Sequence, residues 1–282
     1  MMPGTYVTSR GVIVCADDFA VHAGASAGIA ALAGLGRISA TSVMVLSPRW
    51  PQDAALLRDL PQPIDVGLHL DWTSDFAFSS GHGVSLKRAM WQAQRGGFAA
   101  GAAGTVTRTV IERQLDAFEA HWKAAPDHVD GHQHVQQFAG IREALVRVLV
   151  DRYGGRSGPL PYVRISRAPA GSADLKSRVI AALGANALEK AAREAGLVGS
   201  AALLGIYDFS GDEMAYGRRM DGWLQAAPRR SIIMCHPAQG ALADDPIGAA
   251  RDREFSYLAG AAFPAALQRA AVQIVRGGSF DQ

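Results

Sequence analysis

Short apolar runs that stop on an ionisable residue recur along this chain, and they constrain the fold more than any other feature. Val12–Ala16 stops at Asp17-Asp18, Ile64–Leu68 at His69 and Ser231–Cys235 at His236-Pro237, while His128-Val129 leads into Asp130-Gly131-His132. Runs over Thr41–Leu46, Tyr162–Ile165, Leu203–Tyr207 and Ala271–Val275 have similar length and character. Between them lie helix-length stretches: Gly24–Leu35, Gln52–Leu60, Val106–Trp122, Ile141–Arg152, Leu175–Glu194 and Phe255–Arg269. Within the third, Val110, Gln114, Phe118 and Trp122 repeat at i, i+4 while Glu112, Arg113, Asp116 and Glu119 point elsewhere. Short strands alternating with helices make βα units around a parallel sheet. The C-terminal edge of such a sheet is where a site forms, and four strands here deliver ionisable side chains to it.

The 282 residues correspond to one or two domains at ~150 residues each, and a barrel fills ~200–250 or more as one domain. Hydrophobic residues at 49% and charged residues at 19% exclude global disorder. Lys+Arg 28 against Asp+Glu 26 leaves a formal charge of +2, which points away from nucleic acid and from anionic membranes. Two cysteines, Cys15 and Cys235, build neither a disulfide framework nor a Cys-rich zinc site and read as buried thiols in a reducing cytoplasm. Met1–Arg10 lacks the regions of a signal peptide, and the most apolar stretches fall well short of ~20 residues. A soluble, cytoplasmic protein without stable membrane insertion is therefore expected. Two glycine-rich excursions, Ser79–Gly104 and Gly154–Pro161, interrupt the rhythm and read as lids or connectors.

Asp130, His132 and His134 have period-two spacing, so in an extended chain they project to one face. An inward carboxylate with two imidazoles is costly unless the groups pair or bind a metal, and an internally hydrogen-bonded Asp–His pair is the plainer alternative. Adjacent Asp17 and Asp18 point to opposite faces of a regular strand, but a bulge turns both toward a site. One carboxylate can then hold a cation while the other takes a proton from water; helix-capping is the alternative. His236 ends its strand beside Pro237 and reads equally as a site or a core histidine. Arg164, within a strand, is either a buried ion-pair partner or a site arginine. His22, His82, His121 and His128 read as surface or packing residues.

In order along the chain, Ala16-Asp17-Asp18-Phe19, Val66-Gly67-Leu68-His69-Leu70, Asp130-Gly131-His132-Gln133-His134-Val135 and Met234-Cys235-His236-Pro237 resemble the signature blocks of the YdjC/ChbG carbohydrate deacetylases, a family with a hopanoid-biosynthesis-associated branch. Arg253-Glu254 also resembles a family block. The resemblance implies a distorted TIM-like (β/α) barrel, one divalent metal ion (Mg2+ or Zn2+) and hydrolysis of an N-acetyl group on an amino sugar. It places Asp18, His69 and His132 at metal-ligand positions, Asp17 at the general-base position and His236 at the general-acid position. Asp130, His134, Arg164 and Trp72 are further candidates for substrate contact or support of the ligands, Trp72 reading also as a core or rim residue. The family usually has glycine at Ala20, histidine at Gln136 and glycine at Ala238.

The expected substrate is an N-acetylated sugar or glycolipid, with specificity lying in the glycine-rich excursion and in residues 168–202; a homodimer is left open. A two-metal phosphoesterase normally needs more carboxylates than these strand ends supply, a non-haem iron centre usually has a close His-x-Asp pair, and an inactive sugar-binding protein has no need of Asp17 and His236. Site residues drawn from 17 to 236 imply that 1–282 is a single domain.

Overall fold

The computed structural model describes residues 10–99, 101–240 and 242–279. Apart from Arg10, the stretch Met1–Arg10 that bears on a leader lies outside the described residues. The strands are β1 (Arg10–Phe19), β2 (Ala40–Val43), β3 (Asp65–Leu70), β4 (His128–Gly131), β5 (Tyr162–Val163), β6 (Ala202–Leu204), β7 (Ser231–Cys235) and β8 (Val272–Ile274). All pair in parallel, in the order β5-β4-β3-β2-β1-β7-β6, with β8 on β1 off that path. The two ends of the path meet through a bridge between Val163 and Gly199, where Val163 N–H donates to Val198 at 2.8 Å and Ser200 N–H to Val163 at 3.0 Å. The parallel sheet expected from the strand–helix rhythm thus curls into the distorted TIM-like barrel that the family resemblance implied.

Around it run α1 (Ala23–Gly34), α2 (Trp50–Arg58), α3 (Asp75–Ser79), α4 (Leu86–Gln94), α5 (Gly101–Trp122), α6 (Ile141–Tyr153), α7 (Leu175–Ala182), α8 (Ala185–Glu194), α9 (Glu213–Ala226), α10 (Gly248–Ala259) and α11 (Ala262–Ala270). Three sequence expectations need correction. Leu175–Glu194 is two helices, because Gly184 at φ +135° leaves the helical region, where its approach to the Gln137 carbonyl also leaves no room for a side chain. The helix expected over Phe255–Arg269 is likewise two, divided at Gly260. The excursion Ser79–Gly104 is more than a loop: it carries α4, which buries Ala89 and Ala93. Among the described residues no helix is long and apolar enough to cross a membrane.

Alternation sorts each strand into an outer and an inner face. Val12, Val14 and Ala16 of β1 join Ile29 and Leu32 of α1 in the main core, which lies between sheet and helices. Trp50 is fully buried there, stacked on Phe118 and edge-on to Phe19; truncating such a ring costs ~3–5 kcal/mol. Ile13 and Cys15 of β1 belong instead to a second cluster with Tyr162, Leu203, Ile232 and Met234, which fills the barrel interior. One step further along the same inner parity come Asp17, His69, Asp130, Arg164 and His236. The chain therefore changes from apolar to ionisable along the barrel axis, and the site rests on a packed floor.

Candidate active site

At the end of β1 the pairing slips: Ala16 faces Thr41, but Phe19 faces Val43, so one extra residue is accommodated. Asp18 absorbs it at φ +67°, and the bulge brings both Asp17 and Asp18 to the site. Ala20 follows at φ +72°, a conformation glycine adopts freely and alanine does not. The glycine usual at this place in the family thus has a backbone reason.

The Asp130/His132/His134 expectation is corrected in its geometry. β4 ends at Gly131, and a 3-10 turn covers His132–Gln137 with Gln133 and His134 at φ +53° and +61°. The three side chains consequently part. Asp130 points down the barrel, His132 reaches Asp18, and His134 Nδ1 meets Ser166 Oγ at 3.1 Å. Burial first, and then the Arg164 charge, push His134 down to about 3, so it is neutral. Gln136 is buried beneath it, donating to Ser166 Oγ at 3.1 Å and to the Arg164 carbonyl at 3.2 Å.

Asp18, His69 and His132 bring one donor atom each within 4.8 Å of one another. His69 Nε2 lies 3.4 Å and His132 Nδ1 3.2 Å from Asp18 Oδ1. His69 Nδ1 is taken by Asp130 Oδ1 at 2.6 Å, which fixes the ring and leaves Nε2 for the centre. On the far side, Arg251 Nη2 donates to Asp18 Oδ2 at 2.8 Å, while its Nε binds Asp245 at 2.6 Å. Burial alone would raise the Asp18 carboxyl, but Arg251 and the two imidazoles hold it well below the ordinary carboxylate range. Burial would lower His69, yet the Asp130 carboxylate raises it well above the usual histidine value.

Two other groupings also have ligand-type atoms, Asp17/His69/Asp130 and Cys15/His128/Asp130. A guanidinium already occupies both. Arg164, fully buried, donates to Asp17 Oδ1 and Oδ2 at 2.6 Å each, contacts Asp130 Oδ2 at 2.5 Å and lies 3.1 Å from Cys15 Sγ. A second cation there would meet that charge directly. Asp18/His69/His132 is the set that fits a divalent ion, offering two imidazoles and one carboxylate oxygen. Arg164 also settles Asp17: burial would raise its carboxyl, but the arginine keeps it below the ordinary range and ionised.

His236 is half-buried at the end of β7, its backbone N–H donating to Glu254 Oε2 at 2.5 Å. Its Nδ1 is buried without a hydrogen-bond partner among the described residues. Trp72 is only 3% exposed, packed edge-on against Phe98 and His82, and presents no free face to a sugar. Asp71 beside it caps the following turn at Thr73 and Ser74.

Several participants were not readable as such. His128, expected as a surface or packing residue, does pack inside the barrel, stacked on Tyr162, but it also lies 3.6 Å from Asp130 Oδ2. Burial would depress it, but hydrogen bonding to Asp130 pushes it up to about 10. The signal was present: His128 shares parity with Asp130 in β4. His22 accepts from Ala25 N–H as the cap of α1 and touches Asp245 at 3.3 Å. Arg251 had no local marker, since it lies in a helix more than two hundred residues from its partner.

A model of the YdjC-like protein family matches residues 11–269. The chain is 30% identical over 172 residues to a chitooligosaccharide deacetylase of Enterobacter sp. (strain 638), covering 58% of this chain and 62% of that protein. It is 30% identical over 167 residues to a carbohydrate deacetylase of Homo sapiens, covering 54% of this chain and 49% of that one. The matched stretches thus span half to three-fifths of those relatives. The crystal structure of a protein provisionally described as a cellobiose-phosphate cleavage protein, from Enterococcus faecalis V583, shares the fold at a TM-score of 0.65 and 16% identity, covering 96% of this chain and 98% of that one.

Proposed function

This chain belongs to the YdjC-like protein family, and from that premise we propose that it is a metal-dependent hydrolase that removes the acetyl group from an N-acetylated amino sugar, free or lipid-linked. The observation that carries the reading is the separation of two buried aspartates by different arginines. Arg251 leaves one oxygen of Asp18 turned to His69 and His132, while Arg164 keeps Asp17 ionised beside them.

Asp18, His69 and His132 would hold a divalent ion, and the two imidazoles would favour zinc over magnesium. When bound, a divalent ion supplies positive charge that acidifies water and polarises an amide carbonyl. Asp17 receives the proton of the attacking water on a carboxylate oxygen. Asp130 holds His69 through Nδ1, so that this ligand keeps one orientation throughout. His236 donates a proton from Nε2 to the amide nitrogen as the C–N bond breaks, because an unprotonated amine is a poor leaving group. The fully buried walls at Asp17, Asp130 and Arg164 exclude competing water from one side.

The test is release of acetate from a panel of N-acetylglucosamine oligomers and lipid-linked amino sugars, before and after chelation. Acetate release lost on chelation and regained with zinc or magnesium is the expected result. Inorganic phosphate from phosphoesters without any acetate would replace this reading by phosphoester hydrolysis. Metal and sugar binding without turnover would make the chain a binding protein.

A further inference from the structure

Among the described residues one aromatic side chain, Phe209, packs against His236: the ring centroids are 5.3 Å apart and the planes cross at 79°. Phe209 lies in the turn after β6 with φ +62°, a left-handed conformation unfavourable for a bulky L-residue. A turn at this place would be built more easily with glycine or asparagine. The ring is partly buried and packs against the main core, so it gains less from burial than a fully enclosed phenylalanine while holding a strained backbone. Such strain persists where surrounding contacts impose it, and these contacts are present. Arg253 Nη2 donates to the Phe209 carbonyl at 2.8 Å, and Lys176 Nζ lies 4.9 Å over the ring. Tyr207 packs against it at 4.9 Å and donates its hydroxyl to Glu254 Oε1 at 2.6 Å. The other oxygen of Glu254 accepts the His236 backbone N–H.

One carboxylate therefore ties Tyr207, two residues before Phe209, to the His236 backbone. The His236 ring lacks the device that commonly orients a working imidazole, a carbonyl or carboxylate on its second nitrogen, since Nδ1 is buried and unpartnered among the described residues. We propose that Phe209 is a positioning residue whose ring, packed at right angles to the imidazole, takes the place of that hydrogen bond in holding His236 with Nε2 turned toward the departing amine. The inference rests on the reading of His236 as the acid. In that step the N–H bond at Nε2 breaks, the proton passes to the amide nitrogen, and the C–N electron pair stays on that nitrogen as the amine leaves.

The experiment compares two substrates: di-N-acetylchitobiose, whose amine needs the proton, and 4-nitrophenyl acetate, whose phenolate does not. Phe209→Gly removes the ring and relieves the left-handed backbone, and since lost packing and relieved strain oppose one another its melting temperature should stay close to that of the parent. Its kcat on the amide should fall by ~10–100-fold with KM nearly unchanged, and its ester rate should hold, as a partial copy of the ~100-fold or greater amide loss expected for His236→Ala. Phe209→Trp should restore most of the amide rate. An amide-specific loss in His236→Ala with none in Phe209→Gly overturns the positioning role alone. Equal losses on amide and ester in His236→Ala, or no amide turnover by the parent protein, overturn the acid assignment and the inference with it.

Discussion

Arg164 is the residue on which the interior charge balance turns. It is the buried cation between Asp17 and Asp130, touching both at 2.5–2.6 Å. Replacing it with methionine leaves two carboxylates facing each other in a dry interior, and removing one partner of a buried pair typically costs ~3–5 kcal/mol. Urea unfolding of Arg164→Met should show a loss of that size. Because Arg164 holds the Asp17 carboxyl low, its removal raises that value, and the acidic limb of the pH–rate profile should move to higher pH. An unchanged limb would mean that Asp17 does not govern it. At this scale the sequence marked the residues that strands deliver. Asp17, Asp18 and His69 lie where an apolar run meets polarity, Arg164, expected within a strand, follows β5 directly, and the structure brings the four together. Arg251 escaped because its position depends on how α10 packs back over the barrel mouth, a tertiary fact with no local trace.

Among the elements, β3 and β4 are matched through a missing side chain. A β-carbon on Gly67 would lie 2.4 Å from the His128 ring, so glycine here makes room for an imidazole that meets Ser42 Oγ at 3.3 Å and lies 3.6 Å from Asp130. Gly67→Ala should destabilise the protein by ~1–3 kcal/mol or more, as overpacking does. By displacing His128 from Asp130, and so Asp130 from His69, it should also weaken metal binding in calorimetry. Normal affinity in a destabilised Gly67→Ala protein would show that the support runs elsewhere. Element types were legible from the alternation of β-branched runs and helix-length stretches. Their ends were less so: period two in Asp130-Gly131-His132-Gln133-His134 suggested a continuing strand. The chain instead turns at His132, with two non-glycine residues left-handed, and the turn sends the side chains of His132 and His134 to contacts in different directions.

For the whole molecule we propose that one domain carries the site, since Asp17, His69, His132, Arg164, His236 and Arg251 reach it from six separate elements or the segments that follow them. A single cooperative unfolding transition, shifted upward by zinc, is the expected behaviour; an ion at 100 times its Kd adds about 2.7 kcal/mol. The metal-free protein should have a defined pH profile. His128 is raised to about 10, so its contribution is complete below about 6.5, the unfolded value, and is lost as pH rises through 10. His134 is lowered to about 3, so folding is penalised as pH falls from about 6.5 toward that value. Thermal melting in chelator should therefore peak near neutrality and fall on both sides, and a profile flat to pH 10 would contradict the His128 assignment.

The most direct measurement of the central claim is acetate release by metal-stripped protein titrated with zinc. Turnover of an N-acetylated amino sugar should rise from zero, linearly, and level off at one equivalent per chain, with His132→Ala inactive at every ratio. Turnover in the stripped protein, a requirement for two equivalents, or an active His132→Ala would contradict the account.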